Sequence, residues 1–215
     1  MKEDLSFYRK SYEKLSLEFD NLKDNPIEQF RDWFLNAENC EGVDEANAMV
    51  ITTIELDGFP RSRVVLLKRY TDEGFIFYTN YNSQKGMSIL ANPKVSISFF
   101  WPFLEQQILI KGIAEKTSSN TSDGYFDTRP RGSQIGAWVS QQSSVIDEKA
   151  DLEKEVKELE IKYEGKEIPR PEHWGGFLVR PTEIEFWQGR PNRLHDRMRY
   201  VLQDNFDWKK ERLAP

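Results

Sequence analysis

The chain has 215 residues, of which 38% are hydrophobic and 13% aromatic, with 6 Trp, 8 Tyr and 14 Phe. That length implies one domain, or one with a small appendage, and the aromatic content excludes a disordered or low-complexity chain. A formal charge of −6 from 30 basic and 36 acidic residues argues against a general nucleic-acid binder, and one cysteine with 2 histidines excludes an internal disulfide and a Cys/His zinc set.

The chain opens on MKEDLSFYRKSYEKL, which lacks an apolar stretch of signal-peptide length, and no later run reaches 18 apolar residues; the expectation is a cytoplasmic protein. Residues 2–23 are polar with scattered Phe7, Leu15, Leu17 and Phe19, which predicts a loosely packed helical arm, mobile over 1–20. Asn25 as a cap, Pro26 at the first helical position, and Ile27, Phe30, Trp33, Phe34 and Ala37 at helical spacing predict an amphipathic helix over 26–38. From 47 the period changes. The segments 48–56, 61–70 and 75–79 are rich in β-branched and aromatic residues and are separated by the turn sequences Asp57-Gly58-Phe59-Pro60 and Thr71-Asp72-Glu73-Gly74. A short helix over 83–92 interrupts this meander, and strands resume at 95–101 and 106–117 with Pro102 at the corner.

Residues 120–146 read as short helices broken at Pro130. An acidic amphipathic helix follows over 147–163, with Leu152, Val156, Leu159 and Tyr163 on one face, then a proline-rich connector over 168–176. Strands are expected at 177–188, 193–202 and 206–213, about seven in all. A meander of this kind with inserted helices implies an α+β chain built on a closed or split antiparallel barrel.

Dinucleotide-binding, P-loop and nucleophile-elbow motifs are absent. What stands out is arginine placed against the net charge. If 193–202 is one strand, Arg193, His195, Arg197 and Arg199 share a face, which suits either an anion or surface carboxylates such as those of 147–164. Arg61, Arg63, Lys68 and Arg69 form a second cluster; an ideal strand puts Arg63 and Lys68 on opposite faces, unless a bulge reunites them, and ordinary surface charge is the competing reading. Tyr125, Arg129, Arg131 and Ser133 form a third, in which Ser133 as a helix cap would complete a phosphate cradle, though many helix–turn–helix segments look similar. Tyr78, Trp138 and Trp187 lie beside these clusters and suit either ring stacking or core packing.

The ordered set RVVLLK (63–68), FYTN (77–80), SQKG (83–86), RPRGSQIGAWVSQQSS (129–144), EFWQG (185–189), RLHDR (193–197) and the terminal RLAP resembles the pyridoxamine/pyridoxine 5′-phosphate oxidase family from about residue 9 to 215. The resemblance implies an FMN-binding antiparallel split β-barrel with peripheral helices over 21–215. It implies a dimerisation region at about 168–215 and a homodimer with FMN at the subunit interface. The implied reaction oxidises pyridoxamine or pyridoxine 5′-phosphate to pyridoxal 5′-phosphate, with hydride passing to FMN and then to O2 to give H2O2.

By the same resemblance FMN is held by Arg63, Val64, Val65, Leu66, Leu67, Lys68, Tyr78, Thr79, Gln84, Lys85, Gln107, Gln142, Ser143, Trp187 and Arg197. Lys68, Tyr125, Arg129 and Ser133 would hold the substrate phosphate. Arg193 and His195 would lie on the substrate ring as the catalytic pair, orienting it and assisting proton movement. Arg9 and Tyr12 would belong to a segment closing over the substrate. Many members carry Arg where this chain has Gln84, so a phosphate contact there loses a charge. The competing readings are another split-barrel flavin reductase using a nicotinamide donor, and a non-catalytic flavin- or pyridoxal-phosphate-binding protein.

Overall fold

The computed structural model describes residues 4–145 and 149–215. Residues 1–3 of the expected arm, 146 at the end of the expected short helices and 147–148 of the expected acidic helix lie outside the described residues. The elements are α1 (Pro26–Glu38), β1 (Ala48–Ile54), β2 (Pro60–Leu66), β3 (Arg69–Thr71), β4 (Gly74–Asn80), α2 (Gln84–Ala91), β5 (Lys94–Trp101) and β6 (Gln106–Lys116). They continue with α3 (Ser119–Asp127), α4 (Arg131–Val139), α5 (Lys149–Lys162), β7 (Trp174–Gln188), β8 (Asp196–Leu202) and β9 (Trp208–Leu213). Hydrogen-bonded neighbours follow the order β2-β1-β5-β6-β7-β4-β3, and β8 pairs with both β7 and β9. The registers β3–β4, β4–β7, β7–β8 and β8–β9 are antiparallel, with Tyr78 opposite Gly176 and Trp187 opposite Arg197.

α1 starts where the sequence signals placed it. The Asn25 side chain accepts from the Ile27 N–H at 2.8 Å, and Pro26 occupies a position whose N–H has no intrahelical partner. The arm differs from expectation. Among the described residues before α1, the sole helical turn is a 3-10 turn at Phe19–Asn21. Backbone N–H groups that a helix would use internally go instead to distant carboxylates: Glu13 and Lys14 donate to Glu105, and Leu17 donates to Asp196.

The strand expected over 61–70 is two strands, β2 and β3, separated at Leu67-Lys68, where Leu67 turns into the core. The strand expected from 193 begins at Asp196. Pro191–Arg193 forms a 3-10 turn in which Asn192 and Arg193 are left-handed, with φ of 56° and 62°. Among the described residues nine strands thus stand where about seven were expected, and β7 starts inside the expected connector.

The chain falls into two compact units, Met1–Val50 with Ser96–Lys111 and Pro181–Pro215, and Ile51–Val95 with Gly112–Arg180. In the first, Phe30, Trp33, Phe99, Phe186 and Tyr200 are buried; Phe30 meets Phe99 at 5.3 Å and Trp33 meets Phe186 at 5.2 Å. The buried Tyr200 hydroxyl donates to the Lys23 carbonyl at 2.7 Å, satisfying its polar end. In the second, Phe75, Phe77, Phe177 and Val179 are buried, consistent with their place on the paired strands β4 and β7. A further cluster of Phe126, Ile135, Ala137, Val139, Ile168 and Trp174 is covered by Leu152, Val156, Leu159 and Tyr163, the apolar face read from the sequence of α5. No helix among the described residues is long and apolar enough to cross a membrane.

Candidate active site

In the second unit a cavity of about 280 Å³ collects side chains from six segments. Val64, Val65, Leu66 and Lys68 come from β2 and its end, Tyr78 and Thr79 from β4, and Lys85 from α2. Tyr125 and Arg129 come from α3 and the turn after it, with Gln142 and Trp174 completing the wall. Local chemistry explains the placement. Ser83 caps α2 by accepting from the Gly86 N–H, which fixes the first turn that carries Lys85. The break between β2 and β3 places Lys68 in the same cavity as Arg129 while Arg63 stays outside its wall, so Arg63 and Lys68 are not reunited there.

Among the described residues the cavity wall carries three cations and no carboxylate. Lys85 Nζ donates to Gln142 Oε1 at 2.7 Å and Thr79 Oγ1 at 3.2 Å, both neutral. Burial, with Arg63 adding repulsion, pushes its amine down to about 8. Arg129 is lowered by burial as well, and its Nη1 is buried with no hydrogen-bond partner among the described residues. Its guanidinium lies 4.5 Å from the Trp174 ring centroid, a cation–π geometry. Tyr78 stacks on Tyr125 at 3.9 Å with 18° between planes, and on Trp174 at 5.5 Å. Burial raises both tyrosine hydroxyls, so each is a donor at neutral pH.

Other expected residues stand apart from this wall. Arg63 Nη1 donates to Thr53 Oγ1 at 2.7 Å, and its Nη2 lies 3.8 Å from Glu55. Leu67 is a core residue. Gln84 and Ser143 line a second depression of about 490 Å³ with Gln142, Trp138 and His173. Trp138 is held structurally, its indole N–H donating to the Pro169 carbonyl at 2.8 Å. Ser133 does not cap α4. Pro130 holds the cap position and Ser133 sits exposed in the first turn, its N–H donating to the Pro130 carbonyl. Arg131 is spent inside the fold, donating to the carbonyls of Tyr163 and Lys166 at 2.5 and 3.1 Å.

The first unit holds the other group. Trp187 and His195 lie 4.6 Å apart, and Tyr12 meets Trp187 edge-on at 5.7 Å and His195 at 5.9 Å. The Arg190 N–H donates to His195 Nδ1 at 3.1 Å, so Nδ1 is the acceptor and Nε2 carries the proton. Burial first, then Arg193 and Arg197, hold the imidazole below its ordinary pKa and keep it neutral at pH 7. Arg193 is exposed, and in its left-handed turn it does not share the face of Arg197 and Arg199. Those two are paired, but not with α5: Arg197 Nε meets Glu185 at 2.8 Å, and Arg199 meets Glu211 at 2.5 Å and Glu183 at 3.8 Å. Gln107 donates to Ser98 Oγ at 3.3 Å, and Arg9 is exposed with Nε donating to the Ser6 carbonyl. Sequence reasoning missed Trp174 and Glu105. Trp174 follows a histidine and precedes two glycines, a strand start that the connector reading hid.

The whole chain resembles two solved structures. PhzG from Burkholderia lata, solved in complex with tetrahydrophenazine-1-carboxylic acid, matches with a TM-score of 0.87 at 30% identity, over 96% of this chain and 100% of that one. A pyridoxamine 5′-phosphate oxidase-related, FMN binding protein from Nostoc punctiforme matches in fold, with a TM-score of 0.70 at 16% identity over 90% and 100%. Fold and cavity together define a split β-barrel protein with a cation-lined cavity. Residues 35–163 match the family model described as pyridoxamine 5′-phosphate oxidase, and 174–215 match the pyridoxine 5′-phosphate oxidase C-terminal dimerisation region. The pyridoxine/pyridoxamine 5′-phosphate oxidase of Flavobacterium johnsoniae is 60% identical over 211 residues, covering 98% of this chain and 99% of the relative. That of Christiangramia forsetii is 53% identical over 215 residues, covering 100% of both. The chain belongs to the pyridoxamine 5′-phosphate oxidase family.

Proposed function

We propose that this chain oxidises pyridoxine 5′-phosphate and pyridoxamine 5′-phosphate to pyridoxal 5′-phosphate, as a cytoplasmic homodimer with FMN at the subunit interface and O2 as final oxidant, giving H2O2. The observation that carries this reading is the cation surplus around the cavity: among the described residues Lys68, Lys85 and Arg129 stand in a wall without a carboxylate, and Arg129 Nη1 has no acceptor. A buried guanidinium N–H without an acceptor is costly, and a phosphate oxygen is the acceptor that suits it.

The donor set also fits a flavin phosphate. Lys85, with Arg63 close enough to repel it, makes hydrogen bonds only to neutral groups among the described residues. FMN, when bound, supplies the two-electron acceptor that no side chain provides. The protein's part is binding and orientation. Lys68 and Arg129 supply charge to the substrate phosphate, and the protonated Tyr125 hydroxyl supplies a donor beside them. Ser133, exposed in the first turn of α4 and outside the cavity lining, is assigned to the same phosphate. His195 contributes an Nε2 proton and no positive charge, which suits orienting a pyridine ring and moving a proton rather than anion binding. Arg193, exposed and without an ion pair among the described residues, is available to the same ring. Arg63–Lys68, Tyr78, Thr79, Gln84, Lys85, Gln107, Gln142, Ser143, Trp187 and Arg197 are assigned to FMN; Arg63 would do so from its place beside Thr53 and Glu55, and Arg197 while keeping its Glu185 pair.

The test is direct. The purified protein is expected to be yellow, to elute as a dimer, and to form pyridoxal 5′-phosphate with peroxide when given pyridoxine 5′-phosphate in air. Absence of both products overturns the reading. Oxidation of a nicotinamide donor in their place identifies a flavin reductase, and ligand binding without turnover identifies a binding protein.

A further inference from the structure

Glu105 is 2% exposed, and its backbone is left-handed with a φ of 58°. Both features are unfavourable for glutamate. What it holds accounts for them. Its Oε2 accepts from the Glu13 N–H at 2.8 Å and from the Lys14 N–H at 3.1 Å, while Lys10 Nζ lies 3.6 Å from Oε1. Its own carbonyl accepts from the Gly189 N–H at 2.7 Å and from Gln188 Nε2 at 3.1 Å. One residue thus ties the Lys10–Lys14 segment, by its side chain, to the end of β7, by its backbone.

Tyr12 sits within that segment, against Trp187 and His195. A Cβ at Gly189 would fall 2.7 Å from Tyr12 Cγ and 2.9 Å from its Cβ, so the missing side chain is what lets the tyrosine approach. We propose that Glu105 is a positioning residue, a carboxylate latch that holds the Lys10–Lys14 strap so that Tyr12 stands against Trp187 and His195. Its effect on turnover rests on the function proposed above; the latch itself does not.

Trypsin reads the latch through Arg9, Lys10 and Lys14, because cleavage of a transiently opened segment tracks the open population. Glu105→Gln keeps the shape and removes the charge. It is expected to speed cleavage at these sites roughly ten- to a hundredfold, the loss that charge-assisted hydrogen bonds imply. Pyridoxine 5′-phosphate KM should rise while kcat changes less, and far-UV circular dichroism and thermal midpoint should confirm a folded protein. Unchanged cleavage in the folded variant overturns the latch. A released strap with unchanged KM overturns the positioning role. If the variant does not fold, hydrogen exchange on the wild-type protein decides: the Glu13 and Lys14 amides should be protected relative to Ser11 and Ser16, and equal exchange refutes the proposal. A wild-type protein that neither binds flavin nor turns over fails the functional reading alone, since cleavage and exchange need neither.

Discussion

Arg129→Met should make the ligand-free protein no less stable while crippling its chemistry. In the free protein Arg129 Nη1 is buried without a partner among the described residues, a situation that costs about 1–3 kcal/mol. The cation–π contact with Trp174 at 4.5 Å returns about 0.5–2 kcal/mol. Methionine keeps apolar contact with the tryptophan and has no donor to orphan, so the net change is a gain of about 0–2 kcal/mol in the free protein. Toward a phosphorylated substrate the sign reverses. Charge-assisted hydrogen bonds worth about 1.5–3 kcal/mol disappear, so kcat/KM for pyridoxine 5′-phosphate should fall roughly 10- to 150-fold. Urea unfolding of the ligand-free protein gives the first quantity and oxygen uptake gives the second. Destabilisation beyond about 1 kcal/mol, or an unchanged kcat/KM, would refute the assignment of the orphaned guanidinium to ligand binding.

Three further outcomes are expected. The folded-state Lys85 amine titrates at about 8, below its ordinary 10.5, so the unfolded chain binds more protons between these values. The burial cost is therefore complete below pH 8 and is relieved as pH rises toward 10.5, a gain on the order of 1 kcal/mol after solvent screening that Lys85→Met should abolish in urea midpoints measured at pH 7 and 10. Gly86→Ala should destabilise by about 1–3 kcal/mol in thermal unfolding although alanine favours helices, because its Cβ would lie 2.7 Å from the Asn80 carbonyl oxygen and against the Tyr81 backbone. Tyr125→Phe keeps the 3.9 Å stack on Tyr78 and loses only the hydroxyl, so substrate KM should rise roughly two- to tenfold with the thermal midpoint unchanged.

Elements written by local chemistry were legible in the sequence. Asn25-Pro26 marks the start of α1, and the spacing of Leu152, Val156, Leu159 and Tyr163 marks the face by which α5 covers its cluster. Where long-range partners decide, the sequence pattern misled. The arm is not a helix because carboxylates more than ninety positions away take its N–H groups. The arginine row at 193–199 dissolves because Asn192-Arg193 turns left-handed, and the remaining arginines find glutamates on neighbouring strands. In RPRGS, residue type alone does not divide the labour: Arg129 faces the cavity, whereas Arg131 braces the carbonyls after α5. The gathering of Lys68, Lys85, Tyr125 and Arg129 depends on sheet pairing and on the ends of β2 and α3, which no local pattern encodes.

The cationic wall also makes the free protein responsive to its buffer. Any small anion that enters the cavity binds the folded chain and has no equivalent site on the unfolded one, so mass action adds to stability with the logarithm of anion concentration. Inorganic phosphate is thereby expected both to stabilise the resting protein and to compete with its phosphorylated ligands, so stabilities measured in phosphate and in an amine buffer should differ.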